Sequence, residues 1–431
     1  MIIDDFITRY MRYKTRQYFS LPGMTEACPP ETPDGPVHLY IHIPFCSQLC
    51  PYCSFHRVLF HEQQAKVYFG ALRKELGMYK ERGFEFSSVY IGGGTPTILM
   101  DELLKTLLVI QEMFSPGEIS VETNPDRLTR DILSSLASMG VKRVSVGIQT
   151  FDDDLLRAIG RYDKYGSAEQ LKTRLIEAQG IVDTLNADMI FNFPAQDRGM
   201  LERDLDILEE IAPDQITFYP LMISDFTRTK MQSIMGMGEK GKERLFYSII
   251  SSRLEGSYEP ASAWCFSRSP ATSSPATSSP ATKKMIDEYI VNSQEYVGIG
   301  SGAFGLVGSS IYTNTFSLEE YVTRIDQGLL PLSFQRQFSA RELARYAFLM
   351  DLFGMRMDPR IFRERHGRGI WQMLGPETLF FMIIGGIRMD SGVLRLTDAG
   401  RYYWVIMMRE FFIGVDNFRD YNRRAAGIDV E

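Results

Sequence analysis

The chain has 431 residues, 44% of them hydrophobic, and its 54 acidic against 47 basic side chains give a net charge of −7. This length suits a barrel-sized domain with a smaller second one. The acidic balance excludes nucleic acid as the main partner, because no basic stripe would neutralise phosphates. The first residues lack the basic-then-apolar pattern of a signal peptide, and the longest apolar run, Leu379 to Ile387, is too short to span a bilayer. We therefore expect a cytoplasmic protein with no integral membrane segment.

After a lead-in rich in Pro, Thr and Glu over residues 1–36, the sequence alternates strands with helices. Short apolar runs predict the strands, and apolar residues recurring every three or four positions predict the helices. Such alternation predicts βα units, a parallel sheet and right-handed crossovers. The expected fold class is α/β, a complete or partial TIM-type barrel. The predicted strands are Val37–Ile43, Ser88–Ile91, Glu118–Glu122, Arg143–Gln149, Ala187–Phe191 and Gln215–Tyr219, and the predicted helices include Glu62–Arg82, Met100–Phe114 and Thr129–Met139.

A cysteine-rich loop follows the first strand. Cys46, Cys50 and Cys53 are spaced C-x3-C-x2-C, so one short loop can wrap a compact inorganic centre with its thiolates converging from one side. Three thiolates satisfy three irons of a [4Fe–4S] cluster, whose usual protein complement is four. The spacing therefore predicts a catalytic cluster with one iron open to a ligand that is not cysteine.

Closely spaced cysteines are also found in zinc sites and in disulfide frameworks. A zinc site of three cysteines and one histidine is the main alternative to the cluster, with His42 or His56 nearby. A disulfide framework is disfavoured, because only Cys28 and Cys265 lie outside the loop.

Glycine-rich and polar motifs stand at the ends of the following strands, where the chemistry of βα barrels collects. Gly92-Gly-Gly-Thr-Pro-Thr97 would let the backbone approach a ligand closely, with N–H groups able to bind a carboxylate. Glu122, Gln149 and Asp188 are polar groups on otherwise buried strands and need partners, which a ribose would provide. Arg161 would pair with a ligand carboxylate or cap a helix. Each feature alone could be purely structural, and their agreement at five strand ends favours a site.

Together these motifs resemble those of radical S-adenosylmethionine (SAM) enzymes. The cysteine loop preceded by Tyr40-Ile-His-Ile-Pro-Phe45, then Gly-Gly-Gly-Thr-Pro-Thr, Gly-Ile-Gln-Thr-Phe and Asp-x-Ile-x-x-x-Pro, is similar to the oxygen-independent coproporphyrinogen III oxidase family. That family includes haem-chaperone and methyltransferase relatives. The resemblance covers roughly residues 37–225 well.

The resemblance implies a [4Fe–4S] cluster held by Cys46, Cys50 and Cys53, with SAM on the open iron. One electron, supplied through a reductase such as flavodoxin or ferredoxin, would cleave SAM to a 5′-deoxyadenosyl radical that abstracts hydrogen from the substrate. Tyr52 falls where members holding a second SAM have an aromatic contact, or it shields the cluster. By matching motif, the residues that would bind the first SAM are Tyr40, Gly93, Gly94, Thr95, Glu122, Gln149, Arg161 and Asp188.

Two departures from the family pattern leave the substrate open. The decarboxylating oxidases carry a fourth cysteine two residues beyond the last ligand, where this chain has Phe55. The haem-chaperone branch carries a His-Asn-x-x-Tyr-Trp motif, and the corresponding stretch here is Met285-Ile-Asp-Glu-Tyr-Ile290. The expected function is therefore that of a radical SAM oxidoreductase acting on a porphyrin or related tetrapyrrole. The alternatives are a haem-binding chaperone and a C-methyltransferase that uses two SAM molecules.

The second half of the chain carries fewer motifs. A Ser-Pro-Ala-Thr repeat predicts a disordered insertion over residues 267–284. The expected barrel domain and its extension span residues 37–310, and residues 311–431 are expected to form a helical, winged-helix-like domain that covers the substrate. The elements predicted here are helix Thr227–Leu254, strand Ser262–Phe266, a glycine-rich strand Tyr296–Gly305, helix Ala340–Phe353, hairpin Ser391–Gly400 and helix Arg401–Phe412.

Overall fold

The computed structural model describes residues 2–19, 25–269 and 295–428. The predicted insertion from residue 270 onward and the stretch Met285–Ile290 lie outside these ranges. Among the described helices, none combines the length and apolar character that crossing a membrane requires.

The strands are β1 Thr25–Glu26, β2 Val37–Ile43, β3 Phe45–Cys46, β4 Val58–Leu59, β5 Phe86–Gly93, β6 Glu118–Thr123, β7 Arg143–Gln149, β8 Thr184–Phe191, β9 Gln215–Pro220, β10 Tyr258–Pro260, β11 Cys265–Arg268, β12 Tyr296–Ile299, β13 Phe304–Val307, β14 Ser310–Asn314, β15 Leu332–Gln337, β16 Arg356–Met357, β17 Ile387–Asp390 and β18 Val393–Leu396.

The helices are α1 Ile2–Tyr18, α2 Glu62–Glu81, α3 Met100–Phe114, α4 Arg130–Ser138, α5 Asp153–Ala158, α6 Tyr162–Tyr165, α7 Ala168–Ala178, α8 Arg198–Ile211, α9 Arg228–Met235, α10 Lys242–Leu254, α11 Leu318–Asp326, α12 Ala340–Phe353, α13 Pro359–His366, α14 Ile370–Ile383 and α15 Asp398–Ala425, with 3-10 turns at Pro96–Leu99 and Pro125–Arg127.

The core of the molecule is a TIM-barrel-like parallel sheet. In the 13-stranded sheet the strands from β12 through β2, β5, β6, β7 and β8 to β9 run parallel, and antiparallel strands flank them on both sides. The parallel strands are almost wholly buried and rich in Val, Ile and Leu, as expected for strands covered on both faces. The predicted mixed α/β class with a central parallel sheet is confirmed.

The helices between the strands begin where the sequence provides caps. The Thr129 and Asp197 side chains accept from the backbone N–H groups at the starts of α4 and α8, and Ser167 forms a capping box at α7. Because each crossover returns the chain to the same edge, the carboxyl ends of the parallel strands all face one side. That side carries the cysteine loop.

Several element predictions for the second half were wrong in detail. The single helix predicted over Thr227–Leu254 is two helices, because Gly236 and Gly241 take positive φ values of 78° and 85° between them. The glycine-rich strand is the hairpin β12–β13, which turns at Gly300 and Gly302 (φ 91° and 72°).

The amino-terminal lead-in and the carboxy-terminal helical region pack together. Residues 2–18 form helix α1, and the last helix, α15, runs well beyond the predicted end at Phe412. A side chain at Gly414 of α15 would meet Thr15 of α1 at 2.7 Å, and Arg12 pairs with buried Glu410 at 2.9 Å. Helices α12 to α14 and the sheet β16–β18–β17 complete this region. The domain division at residue 310 stays a prediction. Strand β14 of the main sheet spans this position, and strand β15 of the same sheet follows it.

Candidate functional site

The cysteine loop begins just after β2 and is closed by the short pair β3–β4, in which Cys46 lies opposite Leu59. The Arg57 guanidinium donates to the carbonyl oxygens of Cys50 and Cys53, at 2.6 Å from Nη2 and 3.1 Å from Nε. Because one buried cation holds both carbonyls, the loop keeps its shape around the three thiols.

The thiols lie among hydrogen-bond donors. Thr95 Oγ1 donates to the Cys46 sulfur and Arg161 Nη1 to the Cys50 sulfur, each at 3.8 Å. Burial, followed by the neighbouring charge of Cys53, raises the pKa of Cys46 to about 11. Burial thus disfavours a free thiolate at this position, and a metal ion bound at the sulfur would favour one. The donor set fits an iron–sulfur cluster, whose sulfurs accept such hydrogen bonds.

Histidine does not complete a zinc site at His42. Its Nδ1 pairs with the Tyr40 hydroxyl at 2.8 Å and its Nε2 with the His56 carbonyl at 2.7 Å, so both ring nitrogens are engaged. The other histidine, His56, places Nε2 at 3.1 Å from the Ser301 hydroxyl. Within the described ranges no group of three or more His, Cys, Asp or Glu side chains is placed to hold a single metal ion, and this holds for the three cysteines as well. These contacts argue against the zinc alternative through His42.

The glycine run after β5 leaves no room for side chains. A Cβ at Gly93, whose φ is +115°, would lie 2.5 Å from the His42 ring, and one at Gly94 would lie 2.9 Å from the Ile43 carbonyl. The expectation that these N–H groups bind a ligand carboxylate stays a prediction, and in this structure two of them have partners within the protein. Gly93 donates to Glu122 at 2.9 Å and Gly94 donates to the Ile43 carbonyl at 2.7 Å. The glycines contribute close backbone packing against β2 and β6.

Glu122 is fixed at the end of β6 by two donors. Its Oε1 accepts from the Tyr90 hydroxyl at 2.8 Å and its Oε2 from the Gly93 N–H at 2.9 Å. A Cβ at Gly92 would meet this carboxylate at 2.7 Å. The half-buried carboxylate of Glu122 therefore packs closely against the glycine run.

Gln149 and Asp188 occupy the ends of the next two strands. Gln149 takes a φ of +77° at an irregularity in the β7–β8 pairing, where a Cβ on Gly147 would meet its Nε2 at 2.7 Å. Such backbone strain clusters at ligand sites. The Asp188 carboxylate accepts from Ser145 at 2.8 Å and from Asn186 at 2.7 Å.

The Arg161 side chain extends from the start of α6 towards the cysteine loop. It forms no hydrogen bond that caps the helix, so the helix-cap alternative is wrong. Besides the Cys50 sulfur, its guanidinium donates to Asn124 Oδ1 at 3.3 Å and to the Gly147 carbonyl, and it lies 4.2 Å from the Tyr165 ring centroid. Burial acts to lower the pKa of Arg161, but Tyr52 and Cys50 raise it overall. The Nε atom of Arg161 is buried without a hydrogen-bond partner among the described residues.

One solvent-open cavity joins these groups. It is lined by every predicted site residue except Thr95, which lies buried behind Cys46 and accepts from Asn124 at 2.7 Å. Tyr40 and Tyr52 are buried in its wall, Tyr52 edge-on to Phe193 at 6.3 Å. The predicted residues from the strand ends thus face a common space.

Sequence reasoning missed the opposite wall of the cavity. Helix α15 contributes a face on which apolar residues recur every three or four positions. That spacing predicts a helix, but it does not predict that the helix lies beside the cysteine loop. This face carries Phe411, Phe412, Val415, Asp416 and Arg419, and the hairpin β12–β13 adds Tyr296 and Phe304.

Comparison with known proteins agrees with this geometry. The model of the radical SAM superfamily matches residues 40–228. The chain is 28% identical over 381 residues to the Heme chaperone HemW of Bacillus subtilis (strain 168), covering 84% of this chain and 95% of that protein. It is 25% identical to the oxygen-independent coproporphyrinogen III oxidase of Paracoccus denitrificans (strain Pd 1222), covering 95% and 94%. The solved structure of coproporphyrinogen III oxidase (HemN) from Escherichia coli shares its fold, with a TM-score of 0.70, 20% identity, and coverage of 88% and 91%.

Proposed function

Since residues 40–228 form a domain of the radical SAM superfamily, we propose that this chain is an enzyme that cleaves SAM reductively at a [4Fe–4S] cluster and acts on a porphyrin or related tetrapyrrole. The observation that carries the proposal is the single cavity that joins the three cysteines to the polar strand ends. Relatives named as a haem chaperone and as coproporphyrinogen III oxidases support the tetrapyrrole class.

In this proposal Cys46, Cys50 and Cys53 hold the cluster, which when bound supplies the electron that breaks a carbon–sulfur bond of SAM. Arg57 fixes the loop by binding two of its carbonyls. Thr95 and Arg161 donate hydrogen bonds towards two of the sulfurs.

The strand ends offer SAM complementary groups. Glu122 and Asp188 present carboxylate oxygens to amino and hydroxyl groups, and Gln149 offers an amide from a strained backbone position. Arg161 has a buried, unpaired Nε–H that suits a carboxylate. Tyr40 hydrogen-bonds His42, which burial keeps neutral by lowering its pKa to about 3. The proposal covers one or two SAM molecules.

The walls of the cavity support a partly apolar substrate. Phe411, Phe412 and Val415 give the wall facing the strand ends an apolar surface. An external reductase of the flavodoxin or ferredoxin kind is part of the proposal.

A second candidate is a haem-binding chaperone that keeps the cluster without turning over a substrate. Two observations favour it: 28% identity to a protein named Heme chaperone HemW across 95% of its length, and Phe55 in place of the fourth cysteine of the decarboxylating oxidases.

The test uses the full chain, reconstituted with iron and sulfide without oxygen and reduced with dithionite. We expect 5′-deoxyadenosine to form from SAM, to increase with coproporphyrinogen III, and to accompany a mass change in the tetrapyrrole. Stoichiometric haem binding with no product from any tetrapyrrole would favour the chaperone.

Variants of two cysteines give a matched pair. Cys46→Ser should lose cluster iron and all detectable cleavage, whereas Cys28→Ser, at an exposed cysteine outside the loop, should keep both. Equal behaviour of the two variants would contradict the assignment of the loop.

A further inference from the structure

Helix α15 reaches the cysteine loop through a charged pair. Asp416 and Arg419 stand one helical turn apart and are 8% and 7% exposed. Arg419 Nη1 donates to Asp416 Oδ1 at 2.6 Å and to the carbonyl of Ser54 at 3.1 Å. Because Ser54 directly follows the last cluster cysteine, this pair sits over the cysteine loop, on the wall opposite the strand ends.

Two aromatic rings hold the plane of the Arg419 guanidinium. Its central carbon lies 5.0 Å from the Phe55 ring centroid and 5.7 Å from that of Phe304. All three side chains line the cavity. A guanidinium stacked in this way loses little freedom when it binds a ligand, because its orientation is already set.

Part of this guanidinium makes no hydrogen bond within the described protein. Both of its hydrogen bonds come from Nη1, and Nε is buried with no partner among the described residues. A buried donor without an acceptor destabilises the folded protein. The edge formed by Nε and Nη2 is one that binds a carboxylate with two parallel hydrogen bonds. An acidic ligand group at this edge would remove the penalty.

The surrounding charges also favour an anion. Among the described residues of this region, the three cations Arg57, Arg419 and Arg423 face the two carboxylates Asp416 and Asp420. Arg57 lines the same cavity, and its Nη1 is buried without a partner within the described ranges. Burial raises the pKa of Asp416 to about 7, which reduces its repulsion of an incoming carboxylate near neutral pH.

We propose that Arg419 is a specificity-determining residue that binds a side-chain carboxylate of the tetrapyrrole, with Asp416, Phe55 and Phe304 as positioning residues. The inference rests on the proposed function and adds how the substrate is recognised. SAM also carries a carboxylate, which the proposed function assigns to Arg161 beside the strand ends. Arg419 belongs to a different element, helix α15, and lines the same cavity.

The experiment compares Arg419→Gln with Arg401→Gln in the reconstituted full-length protein. Arg401 lies on the same helix and pairs with Asp398 three residues away, the same relation as Arg419 to Asp416, but it does not line the cavity. Affinities are measured by titration without reductant for coproporphyrin III, which has four carboxylates, for etioporphyrin in detergent micelles, which has none, and for SAM.

We expect Arg419→Gln to weaken coproporphyrin III binding about 10- to 100-fold, as for the loss of a charge-assisted hydrogen-bonded pair. Affinities for etioporphyrin and SAM should stay within twofold of wild type, and Arg401→Gln should change nothing. Arg419→Lys keeps the charge without the planar fork and should bind coproporphyrin III with intermediate affinity. Iron content reports whether each variant folds, and if Arg419→Gln fails to fold, the lysine variant carries the test.

Four results would overturn the inference. Unchanged coproporphyrin III affinity in Arg419→Gln would do so while leaving the proposed function standing. A loss confined to SAM would assign the residue to the cofactor, and an equal loss for both porphyrins would reduce it to a structural role. If the wild-type protein cleaves SAM but binds neither porphyrin, the tetrapyrrole substrate and this inference fail together, and the cluster assignment survives.

Discussion

The two walls of the cavity are held in different ways. At the strand ends, side chains are fixed by backbone groups: Gly93 donates to Glu122, and the Gly147 carbonyl accepts from Arg161. On helix α15, Arg419 is held mainly by a side chain of its own helix, one turn away, and by stacking on aromatic rings. The strand-end wall is tightly packed and leaves no room for added side-chain atoms. The wall formed by α15 depends on side-chain contacts, which substitutions can change without moving the backbone. Changes at the strand ends should therefore abolish function, and changes on the helix should alter which ligand binds.

The strongest test of the difference between the two walls is the substitution Gly93→Ala. The added Cβ would lie 2.5 Å from the His42 ring at a φ of +115°, so both strain and overpacking oppose it, each costing about 1–3 kcal/mol. We expect a loss of at least tenfold in bound iron and about 100-fold in SAM affinity, measured by iron analysis and equilibrium binding.

The matched control is Gly180→Ala, which also has a positive φ, +72°, but has no atom within 4 Å of the added Cβ. It should lose a little stability and keep the cluster. If Gly93→Ala kept its iron and SAM affinity as well as this control does, the claim of a wall without spare space would be wrong.

A second test concerns the support behind the strand-end wall. Glu75 is fully buried and accepts from the Gly300 N–H, the Asn314 amide and the Tyr321 hydroxyl. Burial raises the pKa of Glu75 from 4.5 to about 7. Because the folded pKa is the higher one, the stability this group contributes is complete below pH 4.5 and is lost as the pH rises through about 7.

Glu75→Gln should therefore remove this pH dependence. The free energy of unfolding of wild type relative to the variant should fall by roughly 3 kcal/mol between pH 4.5 and pH 8, as measured by denaturant titration. Glu319→Gln, at an exposed glutamate of α11, is the control and should give no such trend. A constant difference between wild type and Glu75→Gln across this range would show that Glu75 does not titrate there.

The smallest effect is expected where α1 supports the helix wall. A Cβ at Gly414 would meet Thr15 at 2.7 Å, so Gly414→Ala gains helix propensity but pushes α1 away. We expect a net loss of about 1 kcal/mol in stability and faster proteolysis within α1, with SAM affinity unchanged. Gly77→Ala in α2 meets nothing within 4 Å and should be stabilising; similar behaviour of the two variants would remove the role assigned to the α1–α15 contact.

The same contrast explains what could be predicted from the sequence. The cysteine spacing, the glycine run and Glu122 lie within short motifs whose residues meet locally or at adjacent strand ends, so their common cavity followed from the βα pattern. Arg419 binds the Ser54 carbonyl across 365 residues of sequence, and no local period encodes that contact. The break between α9 and α10 lies where Gly236 and Gly241 adopt positive φ, and the helical period did not reveal it.

The contact between Ser54 and Arg419 also has a consequence for biosynthesis. The cysteines leave the ribosome hundreds of residues before α15, so during translation the loop exists without its second wall. Residues 54–57 acquire their backbone contacts with Arg419 and Arg423 only once α15 has been made. A chain that stops before α15 would therefore leave this end of the cysteine loop without two of its hydrogen bonds.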